Sequence, residues 1–384
     1  MTWTDVIDQE HVKAVLQRLI ALDRLPHAML FHGPDGCGKR AVSLALAQTL
    51  QCPTAGTTPC GACPPCKKVE KLVHPDVHVH FPQPSDADPH EVADRIRRLA
   101  ADPYATVDFA RRPSLDDPSR SSNRQTIYSV DTVRGELLRP MVYRPVEGRY
   151  KIAIVTDADS MNAPAANAFL KMLEEPPPRT LFVLTTSRLE YLLPTIVSRC
   201  HRLRFDPLPV SAIEEALVRR EGAEAERAAI VARMAAGSFG RALDLLSDEL
   251  LVVSRDQVVA FMRAAYAMDV RNVTELAGQM SSLGREPLKA AMNLLLLWIR
   301  DLLLHKELGQ AAPIVNVDQG DTIARFCARL PDADFDAMAR AVEDAVGLLE
   351  RNVRADFLLQ NLAFVFHGAI RGKRVEPLYS PLTA

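Results

Sequence analysis

The chain has 384 residues, which predicts two or three domains, each large enough for its own core. Its 46 basic and 48 acidic residues leave a net charge of −2; a bulk nucleic-acid binder needs a basic excess, so any DNA contact must be local or made by partners. Seven cysteines, an odd number with four clustered, point to a reduced, cytoplasmic compartment and to metal binding rather than disulfides.

The first residues, Met1-Thr2-Trp3-Thr4-Asp5, have no apolar core and do not read as a signal peptide. Val12, Val15, Leu16, Leu19 and Ile20 fall at helical spacing and predict an amphipathic helix over 9–22. The apolar run Ala28-Met29-Leu30-Phe31 predicts a strand, followed by Gly33-Pro34-Asp35-Gly36-Cys37-Gly38-Lys39-Arg40 and a helix over 41–50. Strand, glycine-rich turn and helix are the setting of a phosphate-binding loop. Gly33, Gly36 and Gly38 let backbone amides approach phosphate oxygens, the helix start adds positive potential, and Lys39 supplies a point charge. One position departs. Where such loops carry a Ser or Thr hydroxyl for Mg²⁺, this chain has Arg40, a permanent cation that cannot ligate a metal.

Cys52, Cys60, Cys63 and Cys66 are spaced C-x7-C-x2-C-x2-C, four thiolates suited to one tetrahedral, structural zinc. His74, His78 and His80 lie nearby as alternative ligands, but the alternation Val77-His78-Val79-His80-Phe81 argues for a strand with histidines on one face. Residues 82–126 are rich in Pro, Asp, Ser and Arg, with one helical patch at 92–99 and a mobile surface excursion expected over 111–123. A helix resumes from Ile127 through Val130, Val133 and Leu137.

Lys151-Ile152-Ala153-Ile154-Val155-Thr156-Asp157 predicts a buried strand whose terminal Asp157 would stand near a Mg²⁺. The Glu that activates water in many such ATPases is replaced by Ala158, which cannot accept a proton; Asp159 is one residue too far on. A helix over 163–175 is stopped by Pro176-Pro177-Pro178, a strand at 180–186 ends in Thr185 and Thr186, and helical residues lead to Ser198-Arg199-Cys200. Strands alternating with helices around a phosphate loop imply a parallel three-layer α/β domain. After Pro207-Leu208-Pro209, helices are expected at 211–219, at 223–236 with Gly237 as the stop, and on to about 246. From about 250 the chain reads as helical. The most apolar run there, Leu294-Leu295-Leu296-Leu297-Trp298-Ile299, meets Arg300 and Asp301 and is too short to span a bilayer. Val342, Val346, Leu349 and Val353 mark one face of a long helix.

Five separated stretches occur together and in order: Val6-Ile7-Asp8-Gln9-Glu10-His11, the altered phosphate loop, the four cysteines, Asn167-Ala168-Phe169-Leu170-Lys171-Met172-Leu173-Glu174-Glu175-Pro176-Pro177, and Ser198-Arg199-Cys200. In these the chain resembles the bacterial DNA polymerase III clamp-loader subunits of the AAA+ class. The resemblance implies an α/β AAA+ module over 1–207, carrying the zinc module at 52–66 and the insertion at 82–126. A helical lid at 208–248 and an all-α collar domain at 249–384 would follow. Family motors keep a Thr after the loop Lys and an Asp-Glu pair at the strand end, so Arg40 and Ala158 imply a non-hydrolysing member with weak or absent ATP binding. The resemblance assigns Arg199 the role of an arginine finger acting in trans on a neighbour's ATP. It places the γ-phosphate sensor at Thr185 and Thr186, and puts Gly240 where the lid's sensing Arg belongs, with Arg241 one residue later. Implied partners are motor subunits, a clamp-opening subunit, and the sliding clamp and primer-template DNA through the complex. Two rival readings are an atypical ATPase using Arg40 and Asp159, and a nucleic-acid-binding zinc protein. The balanced charge and the lack of interleaved aromatic and basic residues around the cysteines count against the second.

Overall fold

A computed structural model of the chain describes residues 1–54, 56–115, 125–247, 250–282, 285–316, 319–351 and 353–378. Most of the excursion expected over 111–123 falls on 116–124, outside the described residues. The chain divides into two compact units, Met1–Asp244 and Leu245–Ala384.

The first unit is built on a five-stranded sheet: β1 Ala28–His32, β2 Val77–His80, β3 Lys151–Val155, β4 Thr180–Thr186 and β5 His201–Arg204, in the order β2-β3-β4-β1-β5. Every pairing is parallel, so all strands end on the same edge. β3 and β4 are buried along their whole length, as continuous apolar runs covered on both faces must be. This is the expected parallel α/β domain. β5 was not expected from the sequence. As an edge strand it exposes His201, Arg202 and Arg204 and buries only Leu203, so its composition carries no apolar signal.

Around the sheet run α1 Glu10–Ala21, α2 Lys39–Gln51, α3 Pro64–Glu70, α4 Pro89–Ala101 and α5 Ala163–Glu174. Asn162 caps α5 by accepting the Ala165 amide at 2.9 Å, and Pro164 fits its first turn, where no N–H is needed. Phe169 of α5 meets Phe182 of β4 edge to face, with ring centroids 5.2 Å apart, at the centre of one core cluster. The helix expected from Ile127 begins at Val130; Ile127 instead bridges to Gln83. Last in the unit come α6 Val210–Glu221, α7 Ala225–Met234 and the start of α8 Phe239–Ser247, which runs on past Asp244; all three lie close to the expected helices.

The second unit's regular elements among the described residues are helices: α9 Leu250–Ala267, α10 Val270–Ser282, α11 Arg285–Leu308, α12 Gly320–Arg329, α13 Phe335–Glu350 and α14 Ala355–Ile370. The apolar run of α11 is core, with Leu295, Ile299 and Leu302 buried. Asp301, which ends that run, is also buried, accepting the Val315 amide at 2.9 Å and the Asn316 amide at 2.8 Å. On α13 the buried face is Met338, Val342, Ala345 and Leu349; Val353 lies past the helix end. No helix among the described residues is long and apolar enough to cross a membrane.

Candidate functional site

The phosphate loop leaves β1 at Gly33 and enters α2 at Lys39, with Gly33, Gly36 and Gly38 all at positive φ. Gly is required at the first two: a Cβ on Gly33 would collide with the Phe205 carbonyl, and one on Gly36 with the Ser238 hydroxyl. The Phe239 amide donates to the Gly36 carbonyl at 3.0 Å, so the start of α8 lies directly on the loop. Gln9 ties the loop from another side, its amide nitrogen donating to the carbonyls of Cys37 (3.1 Å) and Asp206 (2.7 Å).

Both loop cations are turned onto the protein's own backbone. Lys39 is 7% exposed and donates to the carbonyls of Gly33 (2.7 Å) and Pro34 (2.5 Å); burial holds its ammonium below the usual lysine range. Arg40 donates to the carbonyls of Pro103 (2.8 Å) and Ala105 (2.5 Å). Burial lowers its pKa, opposed by the charges of Asp157, Asp108 and Asp102. Of these acidic groups, the charge of Asp157 acts most strongly on the guanidinium. Burial raises Asp108 to about 6, against the Arg111 amide that hydrogen-bonds it. Asp157 itself adopts a left-handed conformation (φ 47°) at the turn after β3.

Asp159 is committed elsewhere. It accepts the Thr186 hydroxyl at 2.7 Å and Arg188 Nε at 2.8 Å, with its side chain 1% exposed. Both of its oxygens are therefore held by β4 and the turn that follows it. Thr185 is buried at the end of β4, where Thr186 also accepts the Gly33 amide through its carbonyl at 3.3 Å. Arg241 follows Gly240 in α8; its backbone amide donates to the Ser238 hydroxyl at 3.2 Å, and burial lowers its pKa.

Arg199 lies at the other edge of the sheet. Strand register pairs Met29 with His201 and His32 with Arg204, so the residue two before His201 sits at the N-terminal end of the strands. The phosphate loop follows His32 at the C-terminal end. At about 3.3 Å per residue, the strand puts on the order of 13 Å between them. Arg199 is exposed and donates to the Thr195 carbonyl (3.0 Å) and to Glu174 Oε1 (2.6 Å), the first Glu of the Glu-Glu-Pro-Pro stretch. Burial pushes the neighbouring Cys200 thiol up to about 12, so it is no thiolate nucleophile at neutral pH.

The four clustered cysteines converge. Their sulfurs all lie within 4.8 Å of one another, with Cys52–Cys63 and Cys60–Cys66 at 4.0 Å. A tetrahedral ion with metal–sulfur bonds of about 2.3 Å holds its sulfurs about 3.8 Å apart, so the set could hold a metal ion. The Cys60 amide points at Cys52 Sγ and the Cys63 amide at Cys60 Sγ, both 3.4 Å, which favours thiolate. Amide donation, from Ala62 foremost, lowers Cys60 to about 6. The cluster anchors the far end of the phosphate-loop helix: Cys52 is the C-cap of α2, and Gln48 donates to the Cys66 carbonyl at 3.1 Å. His74, His78 and His80 are not part of it; His78 and His80 stack on β2, ring centroids 6.4 Å apart, as the strand alternation predicts.

A family model described as DNA polymerase III, delta subunit, matches residues 8–209 of the 384. The chain belongs to that family. It is 27% identical over 368 residues to the DNA polymerase III subunit delta' of Bacillus subtilis, covering 95% of this chain and 98% of that protein. It is 29% identical over 389 residues to the DNA polymerase III subunit gamma/tau of Mycobacterium tuberculosis, covering 94% of this chain but spanning only 60% of that relative's length. Among solved structures, a DNA polymerase III gamma subunit-related protein from Thermotoga maritima aligns over 94% of this chain and 99% of its own, with 19% identity and a TM-score of 0.41.

In this member of the delta subunit family, sequence reading missed Gln9, Tyr104 and Asp108 around the loop. For Tyr104 and Asp108 a signal existed: Ala105, Val107 and Phe109 alternate inside an otherwise polar insertion, and all three are buried. Gln9 lay inside a motif that identified the family but gave its side chain no role.

Proposed function

We propose that this chain is a delta-prime-type subunit of the DNA polymerase III sliding-clamp loader, a component of a hetero-oligomer active in DNA replication. It does not hydrolyse ATP; it lends Arg199 to the ATP held by an adjacent gamma/tau-type motor subunit. The observation that carries this reading is the position of Arg199: exposed, held by one surface carboxylate, and on the opposite sheet edge from its own phosphate loop. An arginine so placed can reach a phosphate only if another subunit presents one. There a guanidinium offsets charge developing on the γ-phosphate, an effect of about 10³–10⁵ in rate. Arg40 supports the same division of labour: at the position of the Mg²⁺-binding hydroxyl it places a guanidinium tied to the Pro103 and Ala105 carbonyls.

The remaining partners follow from this reading: a clamp-opening delta subunit, the sliding clamp, and primer-template DNA reached through the assembly. Zinc is the ion that best suits four thiolates in a tetrahedron, and in this role it is structural, since four protein ligands leave no open position. Steady-state ATP turnover by the reconstituted, DNA-stimulated complex tests the proposal. Arg199→Ala is expected to lower it, while the wild-type chain alone turns over no ATP. Unchanged turnover in the variant complex would refute the finger role.

A further inference from the structure

Residues 102–108 lie over the phosphate loop and are built into it. Tyr104 is 4% exposed, and its hydroxyl accepts the Ile7 amide at 2.9 Å. That hydroxyl oxygen stands 3.2 Å from where a Cβ on Gly38 would be. Tyr104 thus packs directly against the last glycine of the loop, where α2 begins. Phe239 of α8 meets the Tyr104 ring edge to face, centroids 5.1 Å apart, and the Arg220 guanidinium lies 5.3 and 5.6 Å over the two rings.

The stretch is tied at both ends. On the loop side, Arg40 donates to the carbonyls of Pro103 and Ala105. On the outer side Arg95 of α4 is wholly buried. It donates to the carbonyls of Val107 (2.8 Å), Arg112 (2.8 Å) and Pro113 (3.0 Å) and lies 3.7 Å over the Phe109 ring. A buried guanidinium that gathers three carbonyls and a ring specifies one conformation, because leaving any of those donors unmade in the interior is costly.

We infer that residues 102–108 are a built-in occupant of this chain's own nucleotide cleft, with Tyr104 blocking the exit from the loop and Arg40 fastening the segment at the phosphate end. The inference rests on the non-hydrolysing reading and deepens it. Arg40 is then more than a lost Mg²⁺ ligand: it is the donor that holds the plug down. Restoring a hydroxyl at position 40 alone unties one end and leaves the tyrosine in place.

Binding of a fluorescent methylanthraniloyl-ATP with Mg²⁺ to the full-length chain tests this, using wild type, Arg40→Thr, Tyr104→Ala and the double variant. Wild type and Arg40→Thr should show no saturable binding, and the double variant should bind at least about tenfold more tightly than either single one. Arg40→Thr binding as well as the double variant would overturn the inference. So would a double variant that melts cooperatively yet binds no better than wild type. Should the double variant not fold, hydrogen exchange at the Ile7 amide of wild type decides: protection unchanged by saturating Mg²⁺-ATP is expected, and loss of protection overturns the plug. Failure of the non-hydrolysing reading has a different signature, ATP turnover by the wild-type chain alone.

Discussion

One sheet carries cations at both edges and treats them in opposite ways. At the C-terminal edge, Lys39 is buried and Arg40 half-buried, and together they donate to four backbone carbonyls. At the N-terminal edge, Arg199 is exposed and rests on the Thr195 carbonyl and one carboxylate that is itself half exposed. Burial makes the first pair structural, because an enclosed cation deprived of its acceptors is expensive. Exposure leaves the second free to act, since a surface ion pair contributes at most about 1 kcal/mol and is readily exchanged for a better anion. Changes at the closed edge should therefore cost stability and leave a neighbour's chemistry alone; changes at the open edge should do the reverse.

The largest expected effect is at the open edge. Arg199→Ala should reduce turnover at the neighbouring ATP site by about 10³-fold while leaving the chain's melting temperature within about 1 °C of wild type. A variant that melts lower and turns over normally would invert the comparison.

Much of this contrast was readable before the structure. Arg40 stands where a phosphate loop carries a hydroxyl and Ala158 where many such ATPases carry a Glu, and departures of this kind are visible in sequence because one residue type carries the group. β1, β3 and β4 are continuous apolar runs, and α5 is bounded by Asn162 and the prolines. What stayed hidden depends on long-range contact. Arg40 bonds carbonyls more than sixty residues away, and a carbonyl acceptor leaves no trace in side-chain identity. β5 is hidden for a related reason: an edge strand that buries one residue of four has no periodicity to show. The helical stripe through Val346 and Val353 misled by one position because α13 ends at Glu350, where Arg351 turns out of the helix.

Next in size is the four-cysteine cluster at the far end of α2. Every residue of that helix except Arg40 is buried, so its C-cap, Cys52, fixes the element that begins with Lys39. Purified protein should contain about one zinc per chain. Cys66→Ser, at a fully buried cysteine of the cluster, should abolish it and lower stability by about 3 kcal/mol or more. Full metal content in that variant, or an unchanged melting curve, would separate the cluster from the closed edge.

A smaller effect comes from acid. Burial pushes His80 from its ordinary 6.5 to about 4, helped by the charge of His78, and burial lowers His74 and His78 as well. The unfolded chain takes up these protons below pH 6.5 while the folded one resists, so stability is complete above 6.5 and falls as pH drops towards 4. Asp108 works against this: raised from 3.8 to about 6, it accepts its proton in the folded state first and returns some stability as pH falls through 6. Thermal melts across this range should therefore decline, and His80→Gln should flatten the decline. An equally steep decline in the variant would place the acid sensitivity elsewhere.

The smallest effect returns to the open edge. Glu174 offers the only carboxylate bonded to Arg199 among the described residues, at 2.6 Å, with both side chains partly exposed. Such a pair gains little Coulomb energy in high dielectric and must hold two long side chains still, so Glu174→Ala should change stability by no more than about 0.5 kcal/mol. Its consequence for turnover has a definite sign. If Glu174 merely parks the guanidinium while no phosphate is near, its removal frees Arg199 and complex turnover stays equal or rises. If Glu174 aims the guanidinium at the neighbour's phosphate, turnover falls although folding does not change. Glu174→Gln separates charge from shape, keeping an acceptor for the guanidinium without the negative charge that competes with phosphate. A parking role predicts that Gln behaves like Ala; an aiming role predicts that Gln behaves like wild type. Melting temperature and DNA-stimulated turnover measured on both variants resolve the choice, and a loss of stability above about 1 kcal/mol in either would show that the open edge is not open at all.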